Sequence, residues 1–397
     1  MMSSNRLSHH HIGAREGSGS IHLPRLFNDD IDYVYYDPDT DCINEARSSL
    51  DQAGKYATVY PFCISNKNNT DKFNIMVEPY LSSIFQLSQE FKNFYYISRY
   101  KYLAKLDNVM SVDHEIVTEF RSLDQICFSD ALARPPHCLT IDAQGATWEV
   151  LKGAEKCLRE ETLCVIAETE MHPLYEGQKT FSEVKSYLES LGFFFCCFDG
   201  FMKFGAQSVP TGLRSTNLDI VTNALFLKKP EATKNSGQDK PAIFARLQKL
   251  AFYAIIMNQT EIAMDCFARL KKTPQTNLPA DVPHYIKFII EFSKAADKLD
   301  QPQLPIFDIQ DITKSAGSAV PAARTRSIFR KFIRPLIDKN RRLHHFYIHS
   351  RPLIDKLRHL WRAAGLAPTA VEDVLEQYEL YEQAGWLRNR RAVAYFK

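Results

Sequence analysis

Along the first 230 residues, short apolar runs alternate with amphipathic ones. Ile31 to Tyr36 is rich in Tyr and Val and stops at Asp37-Pro38-Asp39, a turn signal. Ala57 to Ile64 reads as a further strand, and Lys72 to Val77 as a small excursion. Cys138-Leu-Thr-Ile141 is a short apolar run that ends on Asp142 and is followed by Gly145. Leu151, Ala154 and Leu158 then recur at helical spacing, so a strand feeds a helix. Leu163 to Ala167 is strand-like and again ends on an acid, Glu168. Thr180 and Glu183 have capping-box spacing, in which each side chain satisfies a free amide at a helix start. That helix stops at Gly192. Phe193 to Phe198 is a continuous buried-strand run, and Leu218 to Leu227 supplies one more strand. The alternation predicts an α/β fold, a doubly wound and mostly parallel sheet covered on both faces. Ligands of such sheets sit at the carboxyl ends of strands, where Asp37, Asp142 and Glu168 fall.

Glu231 to Lys240 is polar and lacks periodicity, so it reads as a linker (231–240) between a domain over 1–230 and a second over 241–397. Beyond it the texture is helical only. Ile243, Leu247, Leu250, Ala254 and Met257 form one apolar stripe, and Val282, Ile286 and Ile289 begin another. Pro302 to Ala323 reads as an irregular connection, and Thr369 with Glu372 repeats the capping-box spacing ahead of a final helix. The C-terminal domain is therefore expected to be all-helical.

Composition narrows the class without naming a function. With 49 Lys plus Arg against 47 Asp plus Glu among 397 residues, the chain as a whole carries no field that points to a polyanionic partner. The 9 cysteines include no Cys-x-x-Cys pair, so they read as small buried side chains in a reducing compartment. The stretch from Ala242 to Met257 is broken by Arg246 and Lys249 and does not suit a membrane span. No apolar signal core opens the sequence, and a cytoplasmic protein is the simplest expectation.

Gly13, Gly17 and Gly19 follow a first strand and let backbone approach a ligand closely. Their spacing is not the dinucleotide Gly-x-Gly-x-x-Gly, which disfavours a nicotinamide-dependent oxidoreductase. Asp37, near the end of the next strand, is placed to accept both ribose hydroxyls of an adenosine. His9, His10 and His11 alternate across a strand, so they cannot converge on a metal, and no metal site is expected. His172 and His114 are candidate general bases.

The run Asp142, Gln144, Gly145, Ala146, then Val150, Leu151, Gly153, Ala154, then Glu168 with Pro173, Leu174, Tyr175, Gly177 and Gln178, resembles the FkbM-type methyltransferases. Weaker matches extend the resemblance over about residues 9–229. The resemblance implies a Rossmann-like methyltransferase sheet and S-adenosylmethionine as methyl donor. The acceptor would be a hydroxyl of a sugar, glycan or small metabolite. On that basis Gly13, Ala14, Gly17, Asp37, Ser65 and Asp142 are expected to hold the donor, with Asp142 and His172 acting on the acceptor. Two positions depart from the family pattern. His11 stands where an acid usually precedes the first glycine, and Thr147 stands where a Glu is usual. The competing expectation is therefore a degenerate methyltransferase fold that works as an interaction module.

Residues 321–362 form a basic arm. They hold twelve Lys or Arg against two acids, Asp338 and Asp355, and Arg334-Pro-Leu-Ile-Asp-Lys339 recurs as Arg351 to Lys356. Two short basic amphipathic helices would suit an anionic membrane surface, here the inner one, or another polyanion, without specific nucleic-acid recognition.

Overall fold

In a computed structural model of the chain, the described residues are 6–13, 23, 25–52, 57–90, 96–99, 102–205, 218–233, 240–271 and 282–298. The arm over 321–362, the connection over 302–323 and the capping box at Thr369 lie outside them.

Twelve strands run in chain order among the described residues. They are β1 (Leu7–Ile12), β2 (Ile31–Tyr36), β3 (Ala57–Tyr60), β4 (Phe62–Ile64), β5 (Asn69–Met76), β6 (Tyr96–Arg99), β7 (Tyr102–Lys105), β8 (Val112–Arg121), β9 (Cys138–Ile141), β10 (Cys164–Glu170), β11 (Phe193–Phe204) and β12 (Leu218–Lys228). The helices are α1 (Thr40–Gln52), α2 (Leu106–Val109), α3 (Thr147–Lys152), α4 (Glu155–Glu160), α5 (Phe181–Ser190), α6 (Lys240–Ile256), α7 (Thr260–Lys271) and α8 (His284–Lys298).

Seven strands form the main sheet in the order β11-β12-β10-β9-β1-β2-β3. β1 is flanked in parallel by β2, with Leu7 opposite Ile31, and by β9, with His9 opposite Cys138. The chain first builds outward from β1 through β2 to β3, then returns to build the other side through β9 and β10. A crevice therefore opens at the carboxyl ends of β1 and β9, where the winding reverses. β12 runs antiparallel to both β10 and β11. Mixed α/β architecture is thus as expected, with this one reversed strand.

Side chains alternate across each strand, so every strand feeds two layers. Ile12, Val34, Tyr36, Leu139, Ile141 and Val165 share one layer with Val150 and Leu151 of α3, Leu158 of α4 and Leu188 of α5. In the other layer Tyr253 of α6 stacks on His9 at 5.7 Å, and Phe252 meets Phe27 edge-on. Helices therefore cover both faces. The expected capping box is present at α5, where the Glu183 carboxylate accepts the Thr180 N–H at 2.9 Å.

Several boundaries differ from the sequence reading. The run from Ala57 to Ile64 is two strands separated by Pro61 alone, because proline has no N–H for a ladder and ends the pairing. β3 closes the main sheet, while β4 joins a second sheet of order β4-β8-β5 that absorbs the expected excursion at Lys72 to Val77. β10 continues past Glu168 to Glu170, because β12 offers Asn223, Thr222 and Val221 as partners there. β11 runs on to Phe204 through bulges at Phe195/Cys197 and Asp199/Met202.

The division expected at 231–240 also shifts. Compact units span Met1–Ile290 and Glu291–Lys397, so α6 and α7 belong with the sheet. The reason is burial: Leu247, Leu250, Phe252 and Tyr253 are at most 1% exposed, and even Arg246 and Lys249 are buried. Arg246 reaches the Glu160 carbonyl and the Glu161 carboxylate, and Lys249 ends 2.8 Å from His137 Nε2. Asp30 then anchors the start of α8 by accepting the Tyr285 N–H at 2.7 Å. Among the described residues, no helix is long and apolar enough to cross a membrane.

Candidate functional site

The crevice at the β1/β9 reversal opens into a cleft of about 310 Å³. Strand ends supply its floor: Gly13 after β1, Asp37 after β2, Asp142 after β9, and Glu168 and Asn223 from the paired strands β10 and β12. The second sheet and the segment after it supply a wall that includes Phe73, Tyr80 and Ile84.

Gly13 is required where it sits. Its φ is +86°, and an added Cβ would lie 2.0 Å from the Asp142 carbonyl oxygen. No side chain relieves such a contact with backbone, so β1 and β9 can converge only through glycine. Asp37 is 7% exposed, and its Oδ1 accepts the Asp39 N–H at 2.9 Å, which fixes the carboxylate at the cleft edge.

The deepest part of the site is acidic. Gln144 has the left-handed φ of 44°, uncommon outside glycine, and its one side-chain nitrogen donates to both neighbouring carboxyls. The distances are 2.6 Å to Asp142 Oδ1 and 3.0 Å to Glu168 Oε1. Ser83 donates to the Gln144 carbonyl at 2.6 Å, and the Tyr175 hydroxyl reaches its Oε1 at 3.4 Å. A Cβ at Gly145 would strike the Tyr175 ring at 2.4 Å, so the motif glycine exists to admit that ring. Burial first, and then the charges of Asp142 and Glu170, raise the Glu168 carboxyl well above the usual carboxylate range. Burial also pushes Glu170 up to about 7, against the restraining amide of Gln178. Two like charges this close cannot both ionise freely, so Glu168 is held towards its neutral form.

Of the residues expected from sequence, Gly13, Asp37 and Asp142 come together in the cleft. Ala14 and Gly17 lie outside the described residues. Ser65 does not line the cleft: it is 1% exposed, its hydroxyl accepts the Lys67 N–H at 3.1 Å, and its carbonyl abuts Gly153. The position after Ile64 belongs to the second sheet, which turns Ser65 away. His172 is half-buried and absent from the lining, because Glu170 already ends β10 and the chain has turned off before it. His114 is exposed beside Asp113 on β8.

His11 points to the layer opposite the cleft, with its Nδ1 2.5 Å from the Thr140 hydroxyl and its ring edge-on to Tyr35. Thr147 instead donates to the Glu168 carbonyl at 2.7 Å. Among the described residues, no group of three or more His, Cys, Asp or Glu has the geometry to hold a metal ion. Sequence reasoning undervalued Glu168 and Gln144, both visible in the motif run, and Asn223 on the last strand, and missed Tyr80 and Met202, which carry no local signal.

A family model described as the methyltransferase FkbM domain matches residues 11–195. Among solved structures, the chain is similar to the methyltransferase FkbM from Methylobacillus flagellatus KT, at 13% identity and a TM-score of 0.32. That similarity covers 57% of this chain and 44% of the other, so the chain spans less than half of its solved relative's length. No curated protein matches. Residues 11–195 are thus similar to the methyltransferase FkbM domain.

Proposed function

We propose that the domain is an S-adenosylmethionine-dependent O-methyltransferase acting on a hydroxyl of a sugar, glycan or small metabolite. The observation that carries this reading is the meeting of Gly13, Asp37 and Asp142 in one cleft at the winding reversal. The residues fit the donor. A side chain at residue 13 would fill the approach to β9, and a buried acid at the end of β2 suits a ribose diol. Asp37 would hold the ribose, the Gly13 backbone would border the donor's middle, and Asp142 would face its methionine end.

When bound, the donor supplies an electrophilic methyl group on a sulfonium. The chain's own part is positioning and proton management. The acceptor hydroxyl loses its proton as its oxygen gains the methyl. Asp142 is the acid suited to take that proton, since Glu168 is held in its neutral form by burial and neighbouring charge. Gln144 fixes both carboxyls through one amide. A second reading, a degenerate module without catalysis, draws on the turned-away His11 and on Thr147, neither of which brings a carboxylate to the cleft. In either case we place the protein in the cytoplasm, with the arm over 321–362 meeting an anionic surface.

Calorimetric titration with S-adenosylhomocysteine tests the reading. Asp37→Ala removes charge-assisted hydrogen bonds, each worth about 1.5–3 kcal/mol, so affinity is expected to fall at least tenfold. A folded variant that binds as tightly as the parent refutes the assignment. A parent that binds tightly but transfers no methyl to any hydroxyl acceptor selects the degenerate module.

A further inference from the structure

We propose, building on the donor site above, that the acceptor is an uncharged amphiphile: a hydroxyl-bearing head directed at Glu168 and Asn223, and an apolar body gripped between Tyr80 and Met202.

The order of strands along the cleft supports this. Its floor follows β2, β1, β9, β10, β12 and β11, five inter-strand steps of about 4.8 Å each and so roughly 24 Å from end to end. With the ribose at Asp37 on β2 and the methionine end at Asp142 on β9, the acceptor is left the ends of β10, β12 and β11. There Glu168 and Asn223 stand directly opposite one another in the antiparallel pair. A carboxyl kept neutral beside a carboxamide offers donors and acceptors together, which suits a hydroxyl and gives nothing specific to an anion.

The same cleft also has apolar lining. Phe73, Leu81 and Ile84 form the wall, and Tyr80 and Met202 stand at the mouth, 43% and 54% exposed. Large apolar side chains left open at the rim of a concave site mark a binding surface more than a defect. Val77, 55% exposed, adjoins the same segment. Met202 is aimed there by the irregularity between Asp199 and Met202 in β11, the kind of bulge that redirects a side chain beside a site. A thioether adapts its shape to a partner, which suits a grip on an alkyl or ring surface.

Charge argues against the alternative acceptors. Beside the neutral Glu168 the lining carries Asp37, Asp39 and Asp142, and among the described residues it carries no Lys, Arg or His. A phosphorylated or sulfated acceptor would approach like charge with no cation to offset it.

The test uses the full chain saturated with S-adenosylhomocysteine. Three probes are titrated by calorimetry below their micelle-forming concentrations: methyl β-glucoside, octyl β-glucoside and octyl phosphate. Octyl glucoside is expected to bind at least tenfold more tightly than either of the others. Met202→Asp and, separately, Tyr80→Ser are each expected to weaken octyl glucoside at least fivefold while S-adenosylhomocysteine still binds, which shows the cleft to be folded. Equal binding of the two glucosides, absence of binding by both, octyl phosphate binding as tightly as octyl glucoside, or indifference to both substitutions overturns the proposal. If the parent takes up no S-adenosylhomocysteine, the donor assignment itself fails. That result is separate from a parent that binds it and ignores the octyl chain.

Discussion

On one face of the seven-stranded sheet, Leu139, Ile141, Val165 and Ala167 meet Val150, Leu151 and Leu158 in a mainly apolar layer, with His10 bonded to the Tyr36 hydroxyl and Lys228 to the Leu158 carbonyl at its margins. On the other face α6 brings Tyr253 against His9 and Lys249 against His137, and Arg246 and Gln248 are buried as well. Both faces are equally closed to solvent, so exclusion of water does not depend on apolar side chains alone. Part of the second face's polarity is matched, although the Tyr253 hydroxyl and the Arg246 Nε and Nη2 find no hydrogen-bond partner among the described residues. His137 Nδ1 accepts the Ser8 N–H at 2.9 Å, so in the neutral ring the proton sits on Nε2. Above its folded pKa, Lys249 accepts a hydrogen bond from that Nε2–H as a neutral amine. Burial first, and next the charge of Arg134, lower its pKa to about 8, while Glu161 opposes and Arg246 adds to the effect.

The largest expected effect breaks the apolar face. Leu151 is fully buried, so Leu151→Ala should cost about 2–5 kcal/mol through lost burial and a residual cavity. Denaturant unfolding measures it, and a loss below about 1 kcal/mol would mean that this layer is not tightly packed.

A smaller effect sharpens the contrast by pH. Lys249 has a folded pKa near 8 against the ordinary 10.5. Between those values the unfolded chain binds a proton that the folded chain does not, so stability from this group rises with pH. It is complete above 10.5 and is lost as pH falls to 8. The gain is on the order of 3 kcal/mol. Buried cysteines and tyrosines such as Cys138 and Tyr253 act in the opposite sense above about 9. The informative quantity is therefore parent minus Lys249→Met, in which those contributions cancel. Unfolding free energies at pH 7.5, 8.5 and 9.5 should show the difference growing, and a flat difference would show that Lys249 is charged in the fold.

The smallest effect concerns the helix that seals the edge of the apolar layer. Thr180→Ala removes the hydroxyl of the α5 capping box but keeps the Glu183 contact to the backbone N–H. About 1 kcal/mol should be lost, with S-adenosylhomocysteine affinity unmoved. A drop in that affinity would tie α5 to the cleft.

The contrast also explains what could be read from the sequence. Strands β2, β9, β10 and β12 announce themselves as apolar runs, and the acids Asp37 and Asp142 mark the cleft because strand ends carry ligands in such folds. α6 misled for a physical reason. Arg246 and Lys249 look like the solvent side of a surface helix, and only their partners, Glu160 and His137 more than eighty residues away in sequence, reveal them as buried. The second sheet escaped in the same way, since β8 alternates polar residues on an exposed outer face and shows little apolar pattern. Ser65 and His172 were placed by distance along the chain, which says nothing of the direction a side chain takes after a turn. The bulge that delivers Met202 left no trace at all, because register shifts depend on the neighbouring strand.

Pro61 is the single residue between β3 of the main sheet and β4 of the second sheet, and one residue spans about 3.5 Å at full stretch. The wall bearing Phe62 and Phe73 is thereby tethered to the floor bearing Asp37 with almost no slack. Chain length at this point limits how far that part of the wall can stand from the floor. A designer who wants a wider opening has one peptide position at which to insert residues, and one who wants a rigid scaffold has reason to leave it alone.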